Sequence, residues 1–136
     1  MATDFSNQSG KVVEYAFSLA QSLDATISMI YVIETTRAIE FALRQGFSDA
    51  VDRMRDWATH QLANITPDEF MADLAVDRFV EIGSPSDEIV RVAKDIEADV
   101  IVVGVHENSF LKKRLMGSNA ETILRKSESP ILTLRA

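Results

Sequence analysis

An α/β fold built on a parallel, doubly wound sheet is predicted by three features of this 136-residue sequence. Short β-branched runs alternate with segments of helical apolar spacing, the pattern of right-handed βαβ units. The run Asp99-Val100-Ile101-Val102-Val103 carries no polar alternation, as in a strand covered on both faces. Gly104 follows at once, where the backbone must turn. Gly117-Ser118 then stands directly before another helical pattern, where an α/β fold can hold phosphate on free backbone N–H groups.

Each element has its own warrant. Ser9 to Leu23 places Val12, Val13, Ala16, Phe17, Leu19, Ala20 and Leu23 on one helical face. Ala25 to Ile33 is β-branched and apolar, a strand. From Thr35 to Asn64 a long polar region keeps helical spacing through Phe47, Val51, Met54, Ala58 and Leu62, and Ile65-Thr66-Pro67 breaks it. Leu74 to Val80 alternates weakly and reads as a strand. Ser84 to Ile96 is a helix with Ser84 as N-cap, Pro85 in the first turn and Asp87 three residues past the cap. Asp99 to Val103 and Ile131 to Leu134 are the last strands, with a helix from Asn119 to Lys126 between them. Ligands of such sheets bind beyond the carboxyl ends of the strands, at the topological switch point. Gly104 lies at one such end, and Asp4 lies at another if a strand precedes it.

Composition narrows the partners. The length suits one domain, and a chain of this size buries roughly 68–70% of its unfolded surface. There is no cysteine, no apolar run near the ~20 residues of a membrane span, and no basic, apolar leader at the start. A cytoplasmic protein is expected. The net charge of −7 argues against nucleic acid, itself a polyanion. The charge is uneven: residues 1–103 carry 8 basic against 18 acidic side chains, residues 104–136 carry 6 against 3. The basic part coincides with the glycine loop and suits a small anion, or is simply a solvated loop.

Taken together, Ala2-Thr3-Asp4-Phe5-Ser6, Ile30-Tyr31-Val32-Ile33-Glu34, Gly83-Ser84-Pro85, the glycine loop and Pro130-Ile131-Leu132 resemble the universal stress protein family from end to end. The resemblance implies an adenine nucleotide such as ATP as ligand. Nucleotide-binding members carry G-x-x-G, nine residues, then G-S or G-T. Here Gly104 and Gly117-Ser118 keep that spacing, but the middle glycine is replaced by Glu107, and Ala120 stands where binding members often have Ser or Thr. The resemblance places Thr3, Asp4 and the backbone at Val32 against adenine or ribose, Gly104 at ribose, and Gly117, Ser118 and Asn119 at phosphate. Glu107 puts a side chain and a negative charge in that path, so weakened phosphate binding is expected. Family members also have about five residues, an ordinary strand length, ahead of the Ala-Thr-Asp motif as a first, central strand. This chain starts at Met1, so an incomplete N-terminus, closing up of the neighbouring strands, or a substitute segment is expected rather than an open slot.

Each candidate has a plainer reading beside the functional one. Ser118 with Glu121 is also a capping box, Asp4 a cap ahead of the first helix, and His106 a loop histidine rather than a phosphate contact or base. Trp57 and Met54 read as core or interface. His60 and Asp56 have metal-ligand spacing but no third ligand. No nucleophile–base pair or metal cluster is specified, so no catalytic or metal-binding residue is assigned. The resulting expectation is a stress-response regulatory protein with an adenine-nucleotide pocket and a degenerate phosphate loop. The alternatives are a nucleotide-free dimeric interaction module and a slow ATPase. The apolar edge from Ile131 to Leu134 is expected to pair with a second copy, giving a homodimer.

Overall fold

The structure is a computed structural model that describes residues 1–6, 9–70, 74–105 and 118–135. Its elements are α1 (Ser9–Ser22), β1 (Ile27–Glu34), α2 (Arg37–Arg44), α3 (Ser48–Asn64), a short 3₁₀ turn (Asp68–Phe70), β2 (Val76–Gly83), α4 (Pro85–Asp95), β3 (Ile101–Val105), α5 (Ser118–Lys126) and β4 (Ile131–Arg135). β1 pairs in parallel with β2, and β3 with β4.

Residues 1–3 join the two pairs. Ala2 bridges Ile30 in parallel. Ile30 donates its amide to the Met1 carbonyl at 2.9 Å, Thr3 donates to the Ile30 carbonyl at 3.1 Å, and Ala2 donates to the Val102 carbonyl at 2.9 Å. The order across the molecule is therefore β2, β1, residues 1–3, β3, β4. These bonds hold β1 and β3 two strand spacings apart, roughly 9.6 Å. The expected closing up of the neighbours does not occur, because it would break bonds on both sides of Ala2.

Helices cover both faces. On one, α1 supplies Val12, Val13, Ala16, Phe17 and Ala20 to a core with Met29, Leu62, Phe70 and Val102. On the other, Ile89, Val92 and Ala93 of α4 and Ala120 and Ile123 of α5 pack with Ile30, Ile101, Val103 and Val105. Buried β-branched residues without alternation at Ile101, Val102 and Val103 follow from this double cover.

Four sequence expectations are revised. The polar helical region divides into α2 and α3 at Gly46, whose φ of +76° is left-handed and ends a helix cheaply in glycine. Trp57 and Met54 are 50% and 39% exposed, which removes the core half of the core-or-interface reading. Ser84 caps α4 in position only: its hydroxyl lies 3.4 Å from that of Ser86 instead of bonding the helix end. Gly104 is not a turn residue but lies inside β3. A β-carbon there would stand 3.1 Å from Cγ2 of Val12. The glycine lets α1 lie close on the strand.

Candidate functional site

At the carboxyl ends of β1 and β3 the chain turns away after Thr3 and leaves a cleft. The turn is set locally. Phe5 adopts φ +58°, and its amide bonds Thr3 Oγ1 at 3.3 Å. Asp4 Oδ1 accepts from the Ser6 amide at 2.9 Å and from Ser9 Oγ at 2.8 Å. An aspartate just ahead of a helix that binds the first backbone and hydroxyl donors leads the chain into α1. The Asp4 carboxylate therefore acts as a cap while it borders the cleft.

Ladder alternation decides which backbone edges the cleft receives. Thr3 bonds Ile30, so Val32, two residues on, shows the same edge where the chain has already departed. On the facing strand Ala2 bonds Val102, so Gly104 shows its edge to the same space. The cleft has a volume of about 440 Å³ and is lined by Thr3, Asp4, Val32, Gly104 and Asn119, together with Ser6, Ser9, Tyr31, Glu34 and Pro85. Five of the eight residues singled out from sequence thus meet in one cavity. Ser118 opens α5, which places that helix start beside Asn119. His106 and Gly117 lie outside the described residues, as do Glu107 and the basic run Lys112-Lys113-Arg114.

An aromatic cluster that reaches the cleft through Tyr31 was not foreseen. The Phe5 and Tyr31 rings stack with centroids 4.4 Å apart, and Trp57 meets both edge-on at 5.5 and 6.0 Å. Burial first, and the nearby Asp4 charge second, raise the Tyr31 hydroxyl above its ordinary value. It therefore stays protonated and able to donate. Sequence offered a signal for the missed serines: Ser6 and Ser9 follow Asp4 at helix-capping spacing. Tyr31 and Glu34 sit within the segment that carried Val32, but strand periodicity alone does not say which of its residues border a ligand.

His60 Nδ1 lies 3.0 Å from Asn64 Nδ2. Among the described residues, no group of three His, Cys, Asp or Glu side chains is arranged to hold a metal ion. Glu121 bonds Arg125 at 3.0 Å along α5. Among the described residues no helix is long and apolar enough to cross a membrane.

Comparison with known proteins agrees with this architecture. The sequence profile of the universal stress protein family matches residues 1–135. Universal stress protein G of Shigella flexneri is 28% identical over 131 residues, covering 93% of this chain and 89% of that protein. Universal stress protein MJ0577 of Methanocaldococcus jannaschii is 30% identical over 84 residues, and the matched part covers 62% of this chain and about half, 52%, of that relative. The solved structure of MJ0577 superimposes with a TM-score of 0.78 at 24% identity, covering 99% of this chain and 92% of that one. A universal stress protein in complex with cAMP superimposes with a TM-score of 0.62 at 22% identity, covering 99% and 93%. The shared fold is the adenine-nucleotide alpha-hydrolase-like α/β architecture. Because the family's profile matches residues 1–135 of its 136, this chain belongs to the universal stress protein family.

Proposed function

We propose that this chain is a cytoplasmic stress-response regulatory protein that binds an adenine nucleotide chiefly through its adenosine half. One observation carries the reading: Thr3, Asp4, Val32, Gly104 and Asn119, distant in sequence, border one cleft at the carboxyl ends of β1 and β3. This is the switch point at which open α/β sheets take their ligands. The backbone edge of Val32 offers adenine a donor and an acceptor. Asp4 offers ribose hydroxyls an acceptor, and Gly104 allows close approach from the other wall. The start of α5, with Ser118 and Asn119, offers phosphate the amides of a helix N-terminus. The likeness to a relative that holds cAMP supports the ligand class.

Glu107 sets the balance between adenosine and phosphate. Its carboxylate replaces a glycine of the family's phosphate loop and opposes the added charge of a triphosphate. Calorimetric titration with ATP, ADP and AMP tests this. Glu107→Gly is expected to tighten ATP about tenfold, or roughly 1.4 kcal/mol, with a smaller gain for AMP. Equal gains for both, or none, sink the assignment of Glu107.

A second reading, a dimeric interaction module that binds no nucleotide, is favoured by one contact. Asp4 Oδ1 already serves two donors of its own chain, so its position needs no ligand to explain it. Absence of heat with every nucleotide, also in Glu107→Gly, selects this reading.

A further inference from the structure

Asp4 borders the cleft just after the chain has left the ladder at Thr3. The next residue, Phe5, has φ +58°, in the left-handed region where a bulky side chain is uncommon and costly. Such a conformation persists only where its surroundings over-determine it. Local hydrogen bonds do part of this. The Phe5 amide donates to Thr3 Oγ1 at 3.3 Å, and Asp4 Oδ1 accepts from the Ser6 amide at 2.9 Å and from Ser9 Oγ at 2.8 Å. The Phe5 ring supplies the long-range anchor. It stacks on Tyr31 of β1 with centroids 4.4 Å apart, and Trp57 of α3 meets it edge-on at 5.5 Å. Trp57 also meets Tyr31 edge-on at 6.0 Å, so each ring touches the other two. Both supports belong to well-held elements. Tyr31 lies inside β1 opposite Val80, and Trp57 precedes the fully buried Ala58 of α3. Burial first, and the Asp4 charge second, raise the Tyr31 hydroxyl, which sets the carboxylate near the same rings. Neither Phe5 nor Trp57 is among the residues that line the cleft.

We propose that Trp57 is a positioning residue for the cleft: its ring holds Phe5 against Tyr31, and through the Phe5 turn it sets where the Asp4 carboxylate stands. The inference rests on the nucleotide reading of the cleft and adds to it a residue outside the cleft that governs recognition of ribose. Rotation about φ of Phe5 moves Asp4 relative to Ser6 and parts Asp4 Oδ1 from the Ser6 amide. A carboxylate free to swing gives up more freedom when it meets a ribose hydroxyl. Adenine at the Val32 backbone edge and phosphate at the start of α5 do not use this turn. Loss of the Trp57 ring should therefore weaken the ribose contact and leave the other two in place.

The test compares AMP with its 2′,3′-dideoxy analogue, which lacks the ribose hydroxyls, by calorimetric titration of the unaltered protein, Trp57→Ala and Trp57→Phe. Trp57→Ala should weaken AMP about fivefold, or roughly 1 kcal/mol, the worth of one aromatic pair. The dideoxy analogue should lose less than about twofold. Trp57→Phe keeps an aromatic edge and should restore AMP affinity to within about twofold of the unaltered protein. Position 57 is half exposed, so these changes leave the fold intact. Phe5→Leu, which removes both ring contacts, should reproduce the selective loss. Hydrogen exchange of the Ser6 amide gives a readout that needs no nucleotide. It should quicken by about fivefold in Trp57→Ala and stay unchanged in Trp57→Phe. Equal losses for the two nucleotides, an unchanged AMP affinity in Trp57→Ala, or no rescue by phenylalanine overturns the proposal. An unchanged Ser6 exchange rate in Trp57→Ala overturns it as well. If the unaltered protein binds neither nucleotide, the nucleotide reading falls by itself, and Ser6 exchange then decides whether Trp57 holds the turn.

Discussion

Gly104→Ala isolates the contact between α1 and β3. The added β-carbon would stand 3.1 Å from Cγ2 of Val12, and the other Val12 carbons are 4.0 Å away. One methyl must therefore yield by a few tenths of an ångström in a core where Val12 is 3% exposed. Overpacking of this kind costs about 1–3 kcal/mol. Replacing glycine by alanine at an extended position returns about 0.4–1 kcal/mol through the unfolded chain. The difference predicts a net loss of roughly 0.5–2 kcal/mol, measured by urea denaturation. Val12→Ala removes the opposing methyls. In that background Gly104→Ala should become neutral or stabilising, giving a coupling on the order of 1 kcal/mol between the two sites. Equal costs of Gly104→Ala with valine and with alanine at position 12 would refute the packing argument. The glycine would then owe its place to the cleft alone.

Arg78 reaches from β2 to the end of α3, where it donates to Thr66 Oγ1 at 2.9 Å and to the Leu62 carbonyl at 3.4 Å. Arg78→Ala should cost about 1–2 kcal/mol, because it removes a cation from a helix C-terminus and a donor from a buried hydroxyl; an unchanged urea midpoint would show the bonds to be idle. The Met1 ammonium falls from 8.0 to about 6 on folding. The unfolded chain therefore binds more protons between these values, and stability should rise from pH 6 to 8 by on the order of 2 kcal/mol. N-terminal acetylation should flatten that rise, and an acetylated protein with the same slope refutes the assignment. For the homodimer through Ile131–Leu134, the informative change is at Thr133. Alternation turns the Leu132 amide inward to β3 and the Thr133 amide outward, and Thr133 is exposed. Thr133→Pro should convert a sedimenting dimer to folded monomer. A wild-type protein that sediments as monomer at tens of micromolar rejects the dimer.

The legible parts of this fold were those where one local rule decides. Ser9 to Ser22 is a helix because its apolar residues recur on one face, and Val12, Val13, Ala16, Phe17 and Ala20 are the residues it buries. Ile101 to Val103 is a covered strand because nothing polar interrupts it, and all three are buried. Trp57 was left between core and interface because helical spacing says which residues share a face but not whether another layer of the same chain covers that face; at 50% exposure it is not core. Gly104 misled for a related reason. A glycine is permitted by a turn and equally by a close neighbour, and Val12 lies 92 positions away in sequence. Asp4 shows the same limit within the candidate site. Its cap and ligand readings were set against each other in sequence, yet the turn at Phe5 aims one carboxylate at α1 while keeping it on the cleft wall. The cap fixes where the carboxylate stands, and a carboxylate held in place before a ligand arrives loses less freedom on binding. On the proposed nucleotide reading, the structural role therefore prepares the functional one.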